Sequence, residues 1–84
     1  MAQIQVYTTR WCGYCVRAKA LLEDNGLEYE EIPVDSDPAF RQKIFDLTGR
    51  WTVPQIVIDG DPIGGYSELW QLARTGALAE RTAA

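Results

Sequence analysis

Gln3-Ile4-Gln5-Val6-Tyr7-Thr8, then Thr9-Arg10-Trp11-Cys12-Gly13, then Tyr14-Cys15-Val16-Arg17-Ala18-Lys19-Ala20-Leu21-Leu22: three consecutive stretches decide how this chain folds. The first alternates polar and apolar residues, with β-branched and aromatic side chains, and reads as a strand. The second is a loop. In the third, Tyr14, Cys15, Ala18, Leu21 and Leu22 fall on one helical face, with Arg17, Lys19, Glu23 and Asp24 off it. Asn25-Gly26 supplies the left-handed stop for that helix. A pair of cysteines therefore sits where a strand hands over to a helix.

The pattern extends outward from this unit. Glu28 to Val34 alternates again and predicts a second strand. Asp37-Pro38 is an N-cap followed by a first-turn proline, opening a helix marked by Phe40, Ile44 and Leu47 and closed by Gly49. Gln55 to Asp59 predicts a third strand. Asp59-Gly60-Asp61 is a turn, and Pro62-Ile63-Gly64 a short fourth strand, so the two form a hairpin. Ser67 is read as the cap of a third helix carrying Leu69, Leu72 and Ala73 and ending at Gly76, with a half-turn or frayed tail to Ala84. A β-α-β crossover makes the first two strands parallel. The expected fold class is α/β: a four-stranded mixed sheet flanked by three or more helices.

Composition bounds what such a fold is for. The chain has 84 residues, enough for a single domain (residues 1–84) at roughly 100–200 residues per domain. Twelve acidic against eight basic residues leave a net charge of −4 without a Lys/Arg cluster, which argues against nucleic-acid binding. No apolar run approaches the roughly 18 residues of a membrane span, and no signal peptide is visible. The expectation is a small soluble cytoplasmic protein that binds neither membrane nor nucleic acid. Histidine is absent, which removes His-based acid–base catalysis and most zinc chemistry.

Cys12-Gly13-Tyr14-Cys15 is the constellation that carries chemistry. A helix N-terminus presents unpaired N–H groups and partial positive charge, and a thiolate placed there is stabilised and nucleophilic. Cys12 lies just before the helix; Arg10 adds positive charge beside it, with Arg17 and Lys19 further along. Cys15, one turn in, is placed to attack a mixed disulfide formed at Cys12. Two cysteines without histidine are too few for a structural zinc site, and Val16 stands where covalent haem attachment needs His. A structural disulfide across so short a loop would restrain the unfolded chain little.

Tyr7-Thr8, Cys12-Gly13-Tyr14-Cys15, Arg17-Ala18-Lys19-Ala20-Leu21-Leu22, Gly49-Arg50, Thr52-Val53-Pro54-Gln55-Ile56, Ile58-Asp59 and Ile63-Gly64-Gly65 form an ordered set of motifs that resembles the glutaredoxin family, of the small bacterial dithiol kind. The resemblance implies a thioredoxin-like fold. It also implies glutathione as reducing co-substrate, with no permanently bound cofactor, and reduction of protein disulfides and glutathione mixed disulfides by a monomer.

Cys12 and Cys15 are then the catalytic residues. The family places Pro54 in cis beside the cysteine pair, so that Val53 offers its N–H and C=O to the backbone of glutathione, with Thr52 next to it. Gly65, Tyr66 and Ser67, at the start of the third helix, suit the γ-glutamyl carboxylate, and Glu68 its ammonium. Arg50 suits the glycyl carboxylate. Arg10 and Tyr14 flank the sulfur. Trp51 and Trp70 read as packing residues.

The sequence departs from the family at three points. The common Pro-Tyr middle pair is Gly13-Tyr14, a frequent lysine is replaced by Thr9, and a frequent acidic residue is Ser67. In the family, sites lacking that proline are associated with a [2Fe-2S] cluster bridged between two subunits. The alternative function is therefore a cluster carrier in which Cys12 of each subunit and two glutathiones supply four thiolates. Trp11 before the first cysteine is shared with thioredoxins, against which Tyr14, the Gly64-Gly65 turn and the short chain argue; Trp-Cys-Gly-Tyr-Cys is shared with mycothiol-dependent redoxins, against which Gly64-Gly65 favours the glutathione system.

Overall fold

The computed structural model describes residues 2–82. β1 (Ile4–Thr8) lies inside the sheet, paired on both edges: parallel to β2 (Glu30–Pro33) and antiparallel to β3 (Gln55–Ile58). β4 (Asp61–Gly64) runs antiparallel to β3, giving the order β2-β1-β3-β4. Four helices accompany this mixed sheet among the described residues: α1 (Gly13–Asp24), α2 (Pro38–Thr48), α3 (Tyr66–Thr75) and α4 (Ala77–Thr82).

The two-residue period of the central strands divides the core into two layers. Ile4 and Val6 of β1 and Ile56 and Ile58 of β3 pack with Ala18 and Leu22 of α1, Leu69 of α3 and Leu78 of α4. On the opposite face Tyr7 and Val57 pack with Val34 and with Ile44 of α2. Full burial of a leucine contributes about 1.5–3 kcal/mol relative to exposure, so the larger layer carries most of the hydrophobic stabilisation.

Local chemistry sets the boundaries. α1 ends in a Schellman arrangement: Gly26, at φ +70°, donates to the Glu23 carbonyl, and Leu27 donates to that of Leu22. Asp37 caps α2 by accepting the Ala39 N–H at 2.9 Å, with Pro38 in the first turn as expected. The β3–β4 turn places Asp59 and Gly60 at positive φ, as a tight two-residue hairpin requires. Asp59 is further held by Gln3, whose N–H donates to its carboxylate at 2.8 Å.

Three expectations are corrected. The second strand is shorter than Glu28 to Val34. It pairs only over Glu30–Pro33, ends at a residue without an N–H, and gives way to a 3-10 turn, Val34–Ser36, that carries Val34 into the smaller layer. α3 begins two residues earlier than expected, with Gly65 rather than Ser67 at the N-cap. The Glu68 carboxylate takes the Gly65 N–H, which makes Gly65 the cap and Glu68 the third helical residue; β4 itself carries a bulge, Val57 pairing with Pro62 and Ile56 with Gly64, so that Ile63 is skipped. The segment after Gly76 is α4, not a frayed tail. So short a helix is not stable alone, and this one is held by Leu78, 1% exposed in the main core. The last two residues of the expected tail lie outside the described residues.

Candidate active site

β1 and α1 meet at Cys12, the N-cap of α1, with extended backbone (φ −106°, ψ 105°). Its Sγ accepts the Cys15 N–H at 3.1 Å. An N-cap usually satisfies such an N–H with a side-chain oxygen; here sulfur does it, which fixes the start of the helix at Gly13 and sets the sulfur at the positive end of α1. On its other side the Cys12 thiol donates to the Val53 carbonyl at 3.7 Å. The Val53–Pro54 peptide is cis, the isomer the resemblance implied.

The two cysteines differ in environment. Cys12 is half-buried, whereas Cys15 is 2% exposed. Burial, joined by the side-chain hydrogen bond and the charge of Cys12, pushes the Cys15 thiol up to about 12; the Thr9 backbone and Lys19 pull the other way. The buried Cys15 thiol thus keeps its proton while Cys12 is free. Trp11, immediately before Cys12, stands at φ +54° with its ring 98% exposed.

A groove of about 160 Å³ opens on the β3–α3 side. Tyr14, Arg50, Thr52, Val53, Pro54, Gly65, Tyr66, Ser67 and Glu68, all singled out from the sequence, line it together. Tyr14 is steadied by the Tyr66 ring at 6.0 Å and by Arg17, whose guanidinium lies 5.5 Å from its centroid. Arg50 Nη1 donates to Glu68 Oε1 at 2.9 Å. That guanidinium, with the backbone N–H groups of Glu68 and Gly65, holds the Glu68 carboxyl below the usual carboxylate range. Glu68 therefore reaches back over its own helix start, as the acidic member of a capping box does. The cation and the anion of the groove are thus paired to each other.

Gln55 also lines this groove and was not singled out from the sequence. It is 1% exposed; its amide nitrogen donates to Thr52 Oγ1 at 3.2 Å, and its Oε1 has no partner among the described residues. Its polarity suggests a surface position. Only its place in a strand covered on both faces reveals the burial.

Arg10 lies apart from these residues, on the opposite flank of Cys12. There a larger cleft of about 670 Å³ is lined by Thr8, Arg10, Cys12, Cys15, Lys19, Glu31 and Asp35, among others. Asp35 accepts the Arg10 N–H at 2.9 Å, which pins the loop leading to Cys12. Trp51 packs as expected, its ring stacked on Phe45 at 4.3 Å, and Trp70 lies under Arg74 at 5.2 Å. Among the described residues no group of three or more His, Cys, Asp or Glu side chains is arranged to hold a metal ion, and no helix is long and apolar enough to cross a membrane.

Comparison with known proteins places this geometry. The glutaredoxin family model matches residues 4–63. Glutaredoxin 3 of Escherichia coli K12 is 45% identical over 78 residues, spanning 93% of this chain and 94% of that protein. A glutaredoxin of Pseudomonas aeruginosa is 42% identical over 78 residues, 93% of each chain. Among solved structures, a buckwheat glutaredoxin–glutathione complex superposes with a TM-score of 0.86 at 32% identity, covering 93% of this chain and 74% of that one. The solution structure of glutaredoxin from Brucella melitensis gives 0.85 at 39% identity, covering 95% and 87%. The sheet and helices described above are thus the thioredoxin fold, and its paired thiols are those of a thiol–disulfide oxidoreductase. The chain belongs to the glutaredoxin family.

Proposed function

We propose that this protein is a glutathione-dependent thiol–disulfide oxidoreductase that reduces protein disulfides and glutathione mixed disulfides. The observation that carries the reading is the setting of Cys12. Its sulfur caps α1, receives the Cys15 N–H at 3.1 Å and touches, at 3.7 Å, the carbonyl of Val53, a residue that lines the groove of main-chain and charged groups. In the first half-reaction the Cys12 thiolate attacks the glutathione sulfur of a mixed disulfide and the protein thiol leaves. A second glutathione then attacks Cys12-bound glutathione, returning the thiol and releasing glutathione disulfide. With a protein disulfide, Cys12 forms the mixed disulfide with the target and Cys15 resolves it.

The groove supplies the binding groups. Val53 pairs its N–H and C=O with the cysteinyl unit of glutathione, with Thr52 and Pro54 flanking it. The α3 N-terminus at Gly65, Tyr66 and Ser67 takes the γ-glutamyl carboxylate, Glu68 the ammonium and Arg50 the glycyl carboxylate. Tyr14 packs beside the sulfur, and Arg10 adds positive charge on the far flank. Because Arg50 and Glu68 are paired beforehand, binding exchanges partners for both. The protein works as a monomeric single domain in the cytoplasm, where thiols are kept reduced, on glutathione and on disulfide-containing or glutathionylated proteins.

The test is glutathione-dependent reduction of a glutathione mixed disulfide, coupled to glutathione reductase, in wild type, Cys12→Ser and Cys15→Ser. The expected result is loss of activity in Cys12→Ser and retention in Cys15→Ser, with protein-disulfide reduction lost in both. A wild type with both thiols free and no turnover overturns the reading.

A further inference from the structure

The cleft opposite the groove contains a side-chain network that the reading above leaves unused. Lys19 follows Cys15 by one helical turn, on the same face of α1. Its ammonium is 3.1 Å from Glu31 Oε2 on β2, and the same oxygen accepts the Thr8 hydroxyl of β1 at 2.8 Å. Three elements therefore fix one ammonium in a cleft that Cys12 and Cys15 also line. We propose that Lys19, aimed by Glu31 and Thr8, is a positioning residue for the resolving step: its charge stabilises the Cys15 thiolate once Cys12 is tied up in a mixed disulfide. This rests on the thiol–disulfide chemistry proposed above and assigns a role to the second flank.

Lys19 matters at one moment of the cycle. While Cys12 is free, its hydrogen bond and charge help burial keep the proton on Cys15. In a mixed disulfide Cys12 no longer carries that charge, and the Thr9 backbone N–H first, with the Lys19 ammonium after it, still favours the thiolate. The Cys15 proton then leaves into the open cleft. The Cys15 sulfur attacks the Cys12 sulfur, the Cys12–target bond breaks as the Cys12–Cys15 bond forms, and the departing target thiolate takes up a proton. The two protein thiols are oxidised and the target disulfide is reduced. Glu31 is not the proton's destination: the Thr8 hydroxyl first, and Lys19 after it, hold its carboxyl below the usual range, so it stays an acceptor and orients Lys19. The other charged groups facing the cleft are Arg10 and Asp35, which belong to the loop leading to Cys12 and the 3-10 turn.

An aromatic disulfide that releases coloured thionitrobenzoate separates the steps without glutathione. The first release reports attack by Cys12, and the second reports resolution by Cys15. In Lys19→Met the second phase is expected to slow about tenfold at neutral pH, its pH profile displaced upward by about one unit, with the first phase within about twofold of wild type. Lys19→Arg restores the profile, and Glu31→Gln gives an intermediate displacement. An unmoved profile in Lys19→Met, equal slowing of both phases, or failure of arginine to rescue each overturns the proposal. Since no glutathione is present, loss of the glutathione reading would show in the coupled assay and not here.

Discussion

The two flanks of Cys12 are built from different materials. The groove on the β3–α3 side offers largely main-chain groups, the Val53 carbonyl and the α3 start at Gly65, with one ion pair, Arg50–Glu68, across it. The cleft on the β2 side is built from side chains that carry charge: Lys19, Glu31, Asp35 and Arg10. Backbone groups do not titrate and are present whatever residue stands there, so the groove suits recognition of one small peptide-like ligand. Charged side chains respond to protonation and to one another, so the cleft suits control of a proton. Cys12, between them, draws on both.

The sharpest way to break the groove alone is Gly64→Ala. Gly64 stands at φ +115°, and a Cβ there would lie 2.9 Å from Glu68 Cγ and Cδ. Glu68 is displaced from both Arg50 and its helix start, and the backbone is strained. Loss of about 1–3 kcal/mol in denaturant unfolding is expected, with weaker glutathione binding and an unaltered thionitrobenzoate resolution step. Retention of full stability would show that the hairpin end does not depend on this conformation.

A smaller effect, about 1.4 kcal/mol, separates binding from chemistry on the same flank. Arg50→Ala is expected to raise KM for a glutathionylated substrate about tenfold, with kcat preserved. A fall in kcat with KM unchanged would place Arg50 in the chemical step and contradict its assignment to the glycyl carboxylate.

The smallest effect tests the other flank through acid unfolding. Glu31 and Glu68 both titrate below the usual carboxylate range in the folded protein. Groups of this sign contribute stability above the unfolded value of about 4.3 and lose it as pH falls through the lower folded values. Thr8→Val removes the largest cause at Glu31 and is expected to raise the acid midpoint by a few tenths of a unit. Since Glu31 is substantially exposed, solvent screening keeps the change small. An unchanged midpoint would mean that Lys19 alone holds the carboxylate.

The groove was more legible in the sequence than the cleft, for a physical reason. Strand alternation and helical periodicity are local signals, so β1, α1, α2 and the hairpin could be read from short windows. The groove residues could then be placed because two contiguous motifs, Thr52-Val53-Pro54 and the run from Gly65 to Glu68, sit where the family resemblance puts its glutathione site. The Lys19–Glu31–Thr8 network joins residues 12 and 23 positions apart, and nothing local marks any of them. Other misses follow the same logic. The start of α3 is set at Gly65 by the Glu68 carboxylate reaching back to its N–H, and a glycine cap without a side-chain oxygen leaves no local mark. The six residues of α4 are too few for a period, and only the burial of Leu78 explains the helix.

Trp11 gives the molecule an optical consequence. Trp11 is 98% exposed and adjoins Cys12 in the chain, whereas Trp51, stacked on Phe45, and Trp70, beside Arg74, are 48% and 42% exposed. A fully hydrated indole emits at longer wavelength than one in a packed environment and is open to a collisional quencher such as iodide. Any adduct on Cys12 that covers this ring will shift its emission and shield it from the quencher. Of the three tryptophans, Trp11 is thus the one whose emission an adduct on Cys12 would change most.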